Sequence, residues 1–169
     1  MKLLLDTCTF LWIASDLSRL SKTCSEAFLD RSNERYLSPA SAWEISIKYA
    51  GGKLAIAERP DVFVPAAREA SGIDCLEIDE ECALLAGRLP RIHADPFDRL
   101  LIAQAIVHGI TILTPGSGDC EVCGPGAVVR FGEVGLRPVA GPAHYRSRLV
   151  GTSRSFRSRL RRVLGLQST

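Results

Sequence analysis

Asp95-Pro96-Phe97-Asp98-Arg99-Leu100-Leu101-Ile102-Ala103-Gln104-Ala105-Ile106-Val107-His108-Gly109-Ile110-Thr111-Ile112-Leu113-Thr114 contains a helix and a strand with nothing between them but one glycine. Asp95 stands at an N-cap position, and Pro96 follows at the first helical position, where its missing N–H costs nothing. Leu101, Ile102, Ala105 and Ile106 recur at helical spacing and make one apolar stripe, which Gly109 stops. Ile110 to Thr114 is then a short β-branched run, the pattern of a strand. A helix feeding directly into such a strand is the repeating unit of a parallel sheet.

Working back toward the N-terminus, the same alternation recurs. Lys2-Leu3-Leu4-Leu5 is a short apolar run ending on Asp6, suited to a strand buried on both faces. Phe10 to Ile13 continues as an apolar helix or turn. Ser21 caps a helix reaching Leu29, and Tyr36-Leu37 is a strand candidate. Ser38 caps a helix opened by Pro39. Its apolar positions Trp43, Ile47 and Ala50 lie at helical spacing, and Gly51-Gly52 ends it. Asp61 to Ala70 reads as a helix and Ile73 to Ile78 as a strand. Asp79 caps a further helix running to about Leu89. The expectation is an α/β fold, a sandwich with a short, mainly parallel sheet.

The chain of 169 residues is 46% apolar, enough for one domain with a core over residues 1–115. No apolar run approaches a membrane span. The first residues resemble the start of a signal peptide, but Asp6 cuts the run after three leucines, so the reading is a buried strand in a cytoplasmic protein. The six cysteines (Cys8, Cys24, Cys75, Cys82, Cys120, Cys123) are therefore expected to be reduced. Cys120 and Cys123 form a lone CxxC with no second well-spaced ligand pair, which argues against a zinc site there.

The net charge of +2 hides two unlike segments. Residues 1–115 hold 12 Lys+Arg against 16 Asp+Glu, a balance of −4; residues 116–169 hold 9 Arg and 3 acids, a balance of +6. Glycine shifts in parallel, from 5 in the first segment to 9 in the shorter second one. Pro115-Gly116-Ser117-Gly118 is a turn-rich break. Beyond it only Ala127 to Phe131 hints at a strand, and residues 153–164 at a basic helix. The chain divides into a domain at 1–119 and an atypical, weakly ordered Gly/Arg-rich tail at 120–169.

In an open α/β sheet, sites form where strands end and the following helices begin. Asp6 ends the first strand, Glu44 lies one turn into the Pro39 helix, and Asp98 lies in the first turn of the Pro96 helix. These positions allow all three to converge on one edge. Three carboxylates in one cleft repel unless some protonate or a cation neutralises them. Oxygen ligands suit Mg²⁺ or Mn²⁺, and such an ion activates water and stabilises charge on a phosphate. Each acid also has a plainer reading. Asp6 can cap a turn, Glu44 can pair with Lys48 four residues on, Asp95 can serve only as N-cap, and Asp98 can complete a capping box.

Leu-Leu-Leu-Asp-Thr (3–7), Ser-Pro-Ala-Ser-Ala-Trp-Glu-Ile-Ser-Ile-Lys (38–48), Asp-Pro-Phe-Asp-Arg-Leu-Leu-Ile-Ala-Gln-Ala (95–105) and Thr-Ile-Leu-Thr (111–114) together resemble PIN-domain ribonuclease toxins of the VapC type, in order and spacing, over about residues 1–115. The resemblance implies a three-layer α/β/α sandwich. It implies a Mg²⁺- or Mn²⁺-dependent endoribonuclease, the toxin of a type II toxin–antitoxin system. Its substrate would be structured RNA such as tRNA or rRNA, and its partners a cognate antitoxin and a second copy in a homodimer. Asp6, Glu44 and Asp98 match the metal-binding acids, Asp95 an additional acid, and Thr114 a supporting hydroxyl. The implied reaction is hydrolysis, with in-line attack by metal-bound water leaving a 5′-phosphate and a 3′-hydroxyl. No histidine base is needed, and His93 and His108 read as structural. Lys48 and Arg99 are placed to hold phosphates or to make surface ion pairs.

The sequence departs from the family in two places. Where the family carries a fourth acid after the last core strand, this chain has Thr114-Pro115-Gly116; Asp119 substitutes only if the glycines let the loop bend back. Residues beyond that point look like frame-shifted GC-rich coding sequence, the favoured reading, or like a basic RNA-binding tail. Two alternatives to an active nuclease follow. One is a catalytically impaired PIN domain that binds antitoxin or RNA; the other is a non-enzymatic nucleic-acid-binding protein acting through the tail. A haloacid-dehalogenase-type phosphatase fits less well, because Cys8 stands where a second Asp is required.

Overall fold

A computed structural model describes residues 1–89, 95–114 and 127–129. Within them, the elements run β1 (Lys2–Leu5), α1 (Thr7–Ser15), a 3₁₀ turn (Leu17–Arg19), α2 (Lys22–Leu29), β2 (Glu34–Leu37), α3 (Pro39–Ala50) and α4 (Pro60–Ala70). They continue with β3 (Asp74–Cys75), α5 (Glu80–Arg88), α6 (Pro96–His108), β4 (Thr111–Thr114) and β5 (Ala127–Val129). The sheet order is β3-β2-β1-β4-β5. The first four strands are parallel, and β5 joins β4 antiparallel.

Alternation along the strands makes three layers. Leu5, Leu37 and Leu113 are register partners on one face, packed against Phe10 and Trp12 of α1, Cys24 and Phe28 of α2, Ile45 of α3 and Val64 of α4. Leu4 and Ile112 point the other way, onto Leu101 and Ala105 of α6, with Tyr36 and Ile102 beside them. Leu3, Leu4 and Leu5 are all 0% exposed, which explains an apolar run without alternation: both faces of β1 are covered. The α/β/α sandwich inferred from the sequence is the fold observed.

The helix boundaries follow their caps. Ser21, Ser38, Asp79 and Asp95 each accept a hydrogen bond from a backbone N–H in the first turn of the helix they open. Gly109 ends α6 in the left-handed conformation (φ 63°), where a side chain would be strained. Two details differ from expectation. The strand expected over Ile73–Ile78 is only Asp74–Cys75, because at the sheet edge it pairs with β2 alone, at Tyr36 and Leu37. On α3, Trp43 (61% exposed) and Ile47 (48%) face outward, while Ala40, Ser41, Glu44 and Ile45 form the buried stripe. Of the weak strand expected at Ala127–Phe131, the described residues Ala127–Val129 form a strand.

His93, Asp119, the Cys120/Cys123 pair and the basic helix at 153–164 lie outside the described residues. Among the described residues no helix is long and apolar enough to cross a membrane.

Candidate active site

The order of the sheet creates the site. From β1 the chain reaches β2 on one side, while β4 lies on the other, so the C-terminal ends of β1 and β4 flank a topological switch point. Leu5 and Leu113 are register partners, which makes Asp6 and Thr114 neighbours just beyond them. The Asp6 N–H donates to the Leu113 carbonyl at 3.1 Å, holding that end of the sheet closed. Helices α1 and α3 start directly after β1 and β2. Helix α6 runs back to the start of β4 and so begins at the same edge. Three helix N-termini therefore face one place, each bringing a partial positive charge.

Asp6 is the N-cap of α1, and its Oδ1 accepts from the Thr9 N–H at 2.7 Å. Burial pushes its carboxyl up to about 6, and the charge of Asp98 adds to the rise; hydrogen bonds from Thr114 and Thr9 oppose it. Asp6, Asp98 and Thr114 thus share one electrostatic environment. The Thr9 hydroxyl donates to the Leu113 carbonyl at 3.1 Å, and the Cys24 thiol reaches the Thr114 carbonyl at 3.6 Å. These contacts tie the loop after β1 to the end of β4.

Glu44 reaches the same edge through Thr7, the residue after Asp6. It is buried (8% exposed) and accepts a hydrogen bond from the Thr7 hydroxyl on one oxygen and from the Lys48 ammonium on the other. Both of its oxygens are held, one by a neutral donor and one by a cation. One turn earlier on the same face, Ser41 is buried and its hydroxyl has no hydrogen-bond partner among the described residues. Trp43 packs edge-on against Phe97, with ring centroids 5.1 Å apart, and so fixes α3 against the first turn of α6 beside Asp98.

The remaining expected site residues are placed as follows. Asp95 is exposed and caps α6 through the Phe97 N–H at 2.8 Å. Lys48 is engaged with Glu44. The Arg99 guanidinium donates to the carbonyls of Ala86 and Leu89 (both 2.7 Å) and more weakly to Gly87 (3.4 Å), at the end of α5. Sequence reasoning passed over Thr7, Thr9, Cys24 and Ser41. Only Thr7 carried a signal, by standing next to Asp6 in the Leu-Leu-Leu-Asp-Thr segment.

These residues suit a divalent cation. The donors are hard oxygens: a carboxylate whose charge burial disfavours, a second acid beside it, and a third held by an ammonium that a metal can replace. Asp6, Glu44 and Asp98 are not gathered within 4.8 Å of one another, a limit that among the described residues only Asp79, Cys82 and His108 meet.

The profile of the PIN domain matches residues 3–121. Among solved structures, the crystal structure of VapBC2 from Rickettsia felis bound to a DNA fragment from their promoter superimposes with a TM-score of 0.51. It is 17% identical, and the match covers 69% of this chain and 89% of the other, a likeness of fold. Among curated proteins none matches. With the profile spanning the four parallel strands from Leu3 on, the switch point and all three acids, the chain belongs to the PIN-domain family.

Proposed function

We propose that this protein is a Mg²⁺- or Mn²⁺-dependent endoribonuclease of the VapC type, the toxin of a type II toxin–antitoxin pair. It would hydrolyse phosphodiester bonds in structured RNA such as tRNA or rRNA. The observation that carries the proposal is the pairing of Asp6 with Asp98 and Thr114 at the switch point. There, burial and like charge penalise the ionised carboxylate in the absence of a cation. Asp6, Asp98 and Glu44 would hold the ion, which when bound supplies an activated water and neutralises charge on the phosphate. Thr114 and Thr9 orient Asp6, and Thr7 orients Glu44. The N-termini of α1, α3 and α6 give the edge a positive field that suits an RNA backbone despite the acidic body. Asp95 and Asp119 are supporting acids, and Lys48, once released from Glu44, is a phosphate contact. Residues 1–119 carry the nuclease and residues 120–169 the tail. The solved VapBC2 complex supports a cognate antitoxin as partner, and the proposal extends to a homodimer in the cytoplasm.

The test is cleavage of total RNA by the purified chain with Mg²⁺ or Mn²⁺. Activity is expected to vanish with EDTA and to fall by at least about a hundredfold in Asp98→Asn, a near-isosteric change at an exposed position, with an unchanged circular-dichroism spectrum as the check on folding. No cleavage, or cleavage indifferent to Asp98→Asn, overturns the nuclease reading. Gly116 stands where a fourth acid is expected, and Lys48 occupies Glu44; both favour a second reading, a catalytically impaired PIN domain that binds antitoxin or RNA. Under the first reading Gly116→Asp raises the rate; under the second, RNA is bound and left whole.

A further inference from the structure

We infer that Asp79, Cys82 and His108 form a zinc site pinning the start of α5 to the end of α6, away from the carboxylate cluster. Their ligand atoms all lie within 4.8 Å of one another. The Cys82 Sγ is 3.6 Å from His108 Nε2, and Nε2 is 3.8 Å from Asp79 Oδ2. A tetrahedral zinc ion with bonds of about 2.3 Å to sulfur and about 2.1 Å to nitrogen and oxygen sets its ligands roughly 3.4–3.6 Å apart. The trio is within a few tenths of an ångström of two such edges.

Three further observations point to a ligand. Cys82 is fully buried (0% exposed) with its sulfur directed at His108, so the softest donor lies at the inner end of the site. Asp79 divides its oxygens: Oδ1 caps α5 by accepting from the Cys82 N–H at 2.7 Å, and Oδ2 remains on the His108 side. The side chains of His108 and Asp79 are 31% and 49% exposed, which gives an ion a path in and leaves a fourth position for water. Thiolate, imidazole and carboxylate together suit zinc rather than the Mg²⁺ or Mn²⁺ proposed for the acids. Binding forms the zinc–sulfur bond and releases the thiol proton to solvent. The structural result is a clasp. Arg99 already joins α6 to the C-terminal end of α5, and zinc would lock the opposite end of the same pair.

The test uses the full chain and two probes. Co²⁺ absorption reports a thiolate ligand, and thermal melting with Zn²⁺ reports stabilisation. Expected are a thiolate-to-cobalt charge-transfer band and a rise in Tm with stoichiometric Zn²⁺. Both should be retained in the double variant Cys120→Ser/Cys123→Ser and in Asp98→Asn. Cys82→Ser should abolish the band. Because Cys82 is buried and its replacement can impair folding, two surface variants also decide the matter. His108→Gln removes the imidazole, and Asp79→Asn keeps the cap but removes the anionic ligand; each should weaken Zn²⁺ at least about tenfold. The inference is overturned by no band in the wild type, by a band lost with Cys120 and Cys123, or by unchanged Zn²⁺ affinity in both surface variants. None of these results bears on RNA cleavage, so the two proposals fail separately.

Discussion

Asp6 has two tasks that pull its protonation in opposite directions. As N-cap it accepts hydrogen bonds, which favour the anion; as a half-buried acid beside Asp98 it is driven toward the neutral form, and desolvation wins. A native carboxyl near 6 against 3.8 in the unfolded chain means that the folded state holds a proton the unfolded state has lost between those values. The contribution of Asp6 to the stability of the metal-free protein therefore falls as pH rises from about 4 to about 6 and is flat above. At about 1.4 kcal/mol per pH unit, the loss is on the order of 3 kcal/mol. Asp6→Asn keeps a good N-cap and discards the charge. The metal-free variant should melt several degrees above the wild type at pH 8, and the two should converge below pH 4. Equal melting temperatures at pH 8 would refute this account. Mn²⁺ should reverse the order at pH 8, stabilising only the wild type, and should lose its effect below about pH 5 as Asp6 protonates. At Glu44 the strain is relieved locally. Lys48 supplies the cation, so Lys48→Met should cost about 2 kcal/mol in the metal-free state and enlarge the Mn²⁺-induced shift in Tm. A smaller Mn²⁺ shift in that variant would show that Lys48 does not compete with the metal.

Among the elements, those that announced themselves in the sequence are those with a capping residue and a stop. The helices opened by Ser21, Ser38, Asp79 and Asp95 begin where their caps predict, because a side-chain acceptor for an orphan N–H is a local device. What was not legible depends on distant neighbours. Trp43 and Ile47 have core-like side chains at core-like spacing, yet the inner face of α3 belongs to Ala40, Ser41 and Glu44, and the latter two gain their importance only from the strand ends that α3 meets. Arg99 is a similar case. Its position after Asp98 suggests phosphate binding, but its guanidinium closes the end of α5, where unpaired carbonyls and the negative end of the helix dipole attract a cation. Arg99→Ala should therefore cost about 1–2 kcal/mol in denaturant unfolding and reduce amide-exchange protection at the C-terminal turn of α5, with RNA affinity changed less than about twofold. A loss of RNA affinity at unchanged stability would return Arg99 to the phosphate-contact role read from the sequence.

For the whole molecule, the parallel sheet explains how acids 92 residues apart in sequence, Asp6 and Asp98, come to interact: strand order, not chain proximity, sets the edge they share. Order and spacing of the motifs made that edge readable. They did not reveal that Ala127–Val129 returns to pair with β4, because the pairing is a long-range choice made by a weak strand. The same long view bears on charge. Residues 1–115 balance at −4, which opposes a polyanion beyond the immediate field of the site, whereas residues 116–169 balance at +6. If the arginines of that segment bind RNA, affinity should drop steeply with salt, by a slope of about 0.7 for each phosphate neutralised on a single strand. A full-length variant with Arg146, Arg148, Arg154, Arg157, Arg159, Arg161 and Arg162 changed to Gln should then bind RNA less tightly and with a slope shallower by up to about 5, while single-turnover cleavage at saturating RNA keeps its metal dependence. An unchanged slope would mean that the segment does not touch RNA and that binding rests on the site alone. That outcome would favour the frame-shifted origin, which an alternative reading frame after the Thr114 codon, restoring an Asp and a short strand, would establish.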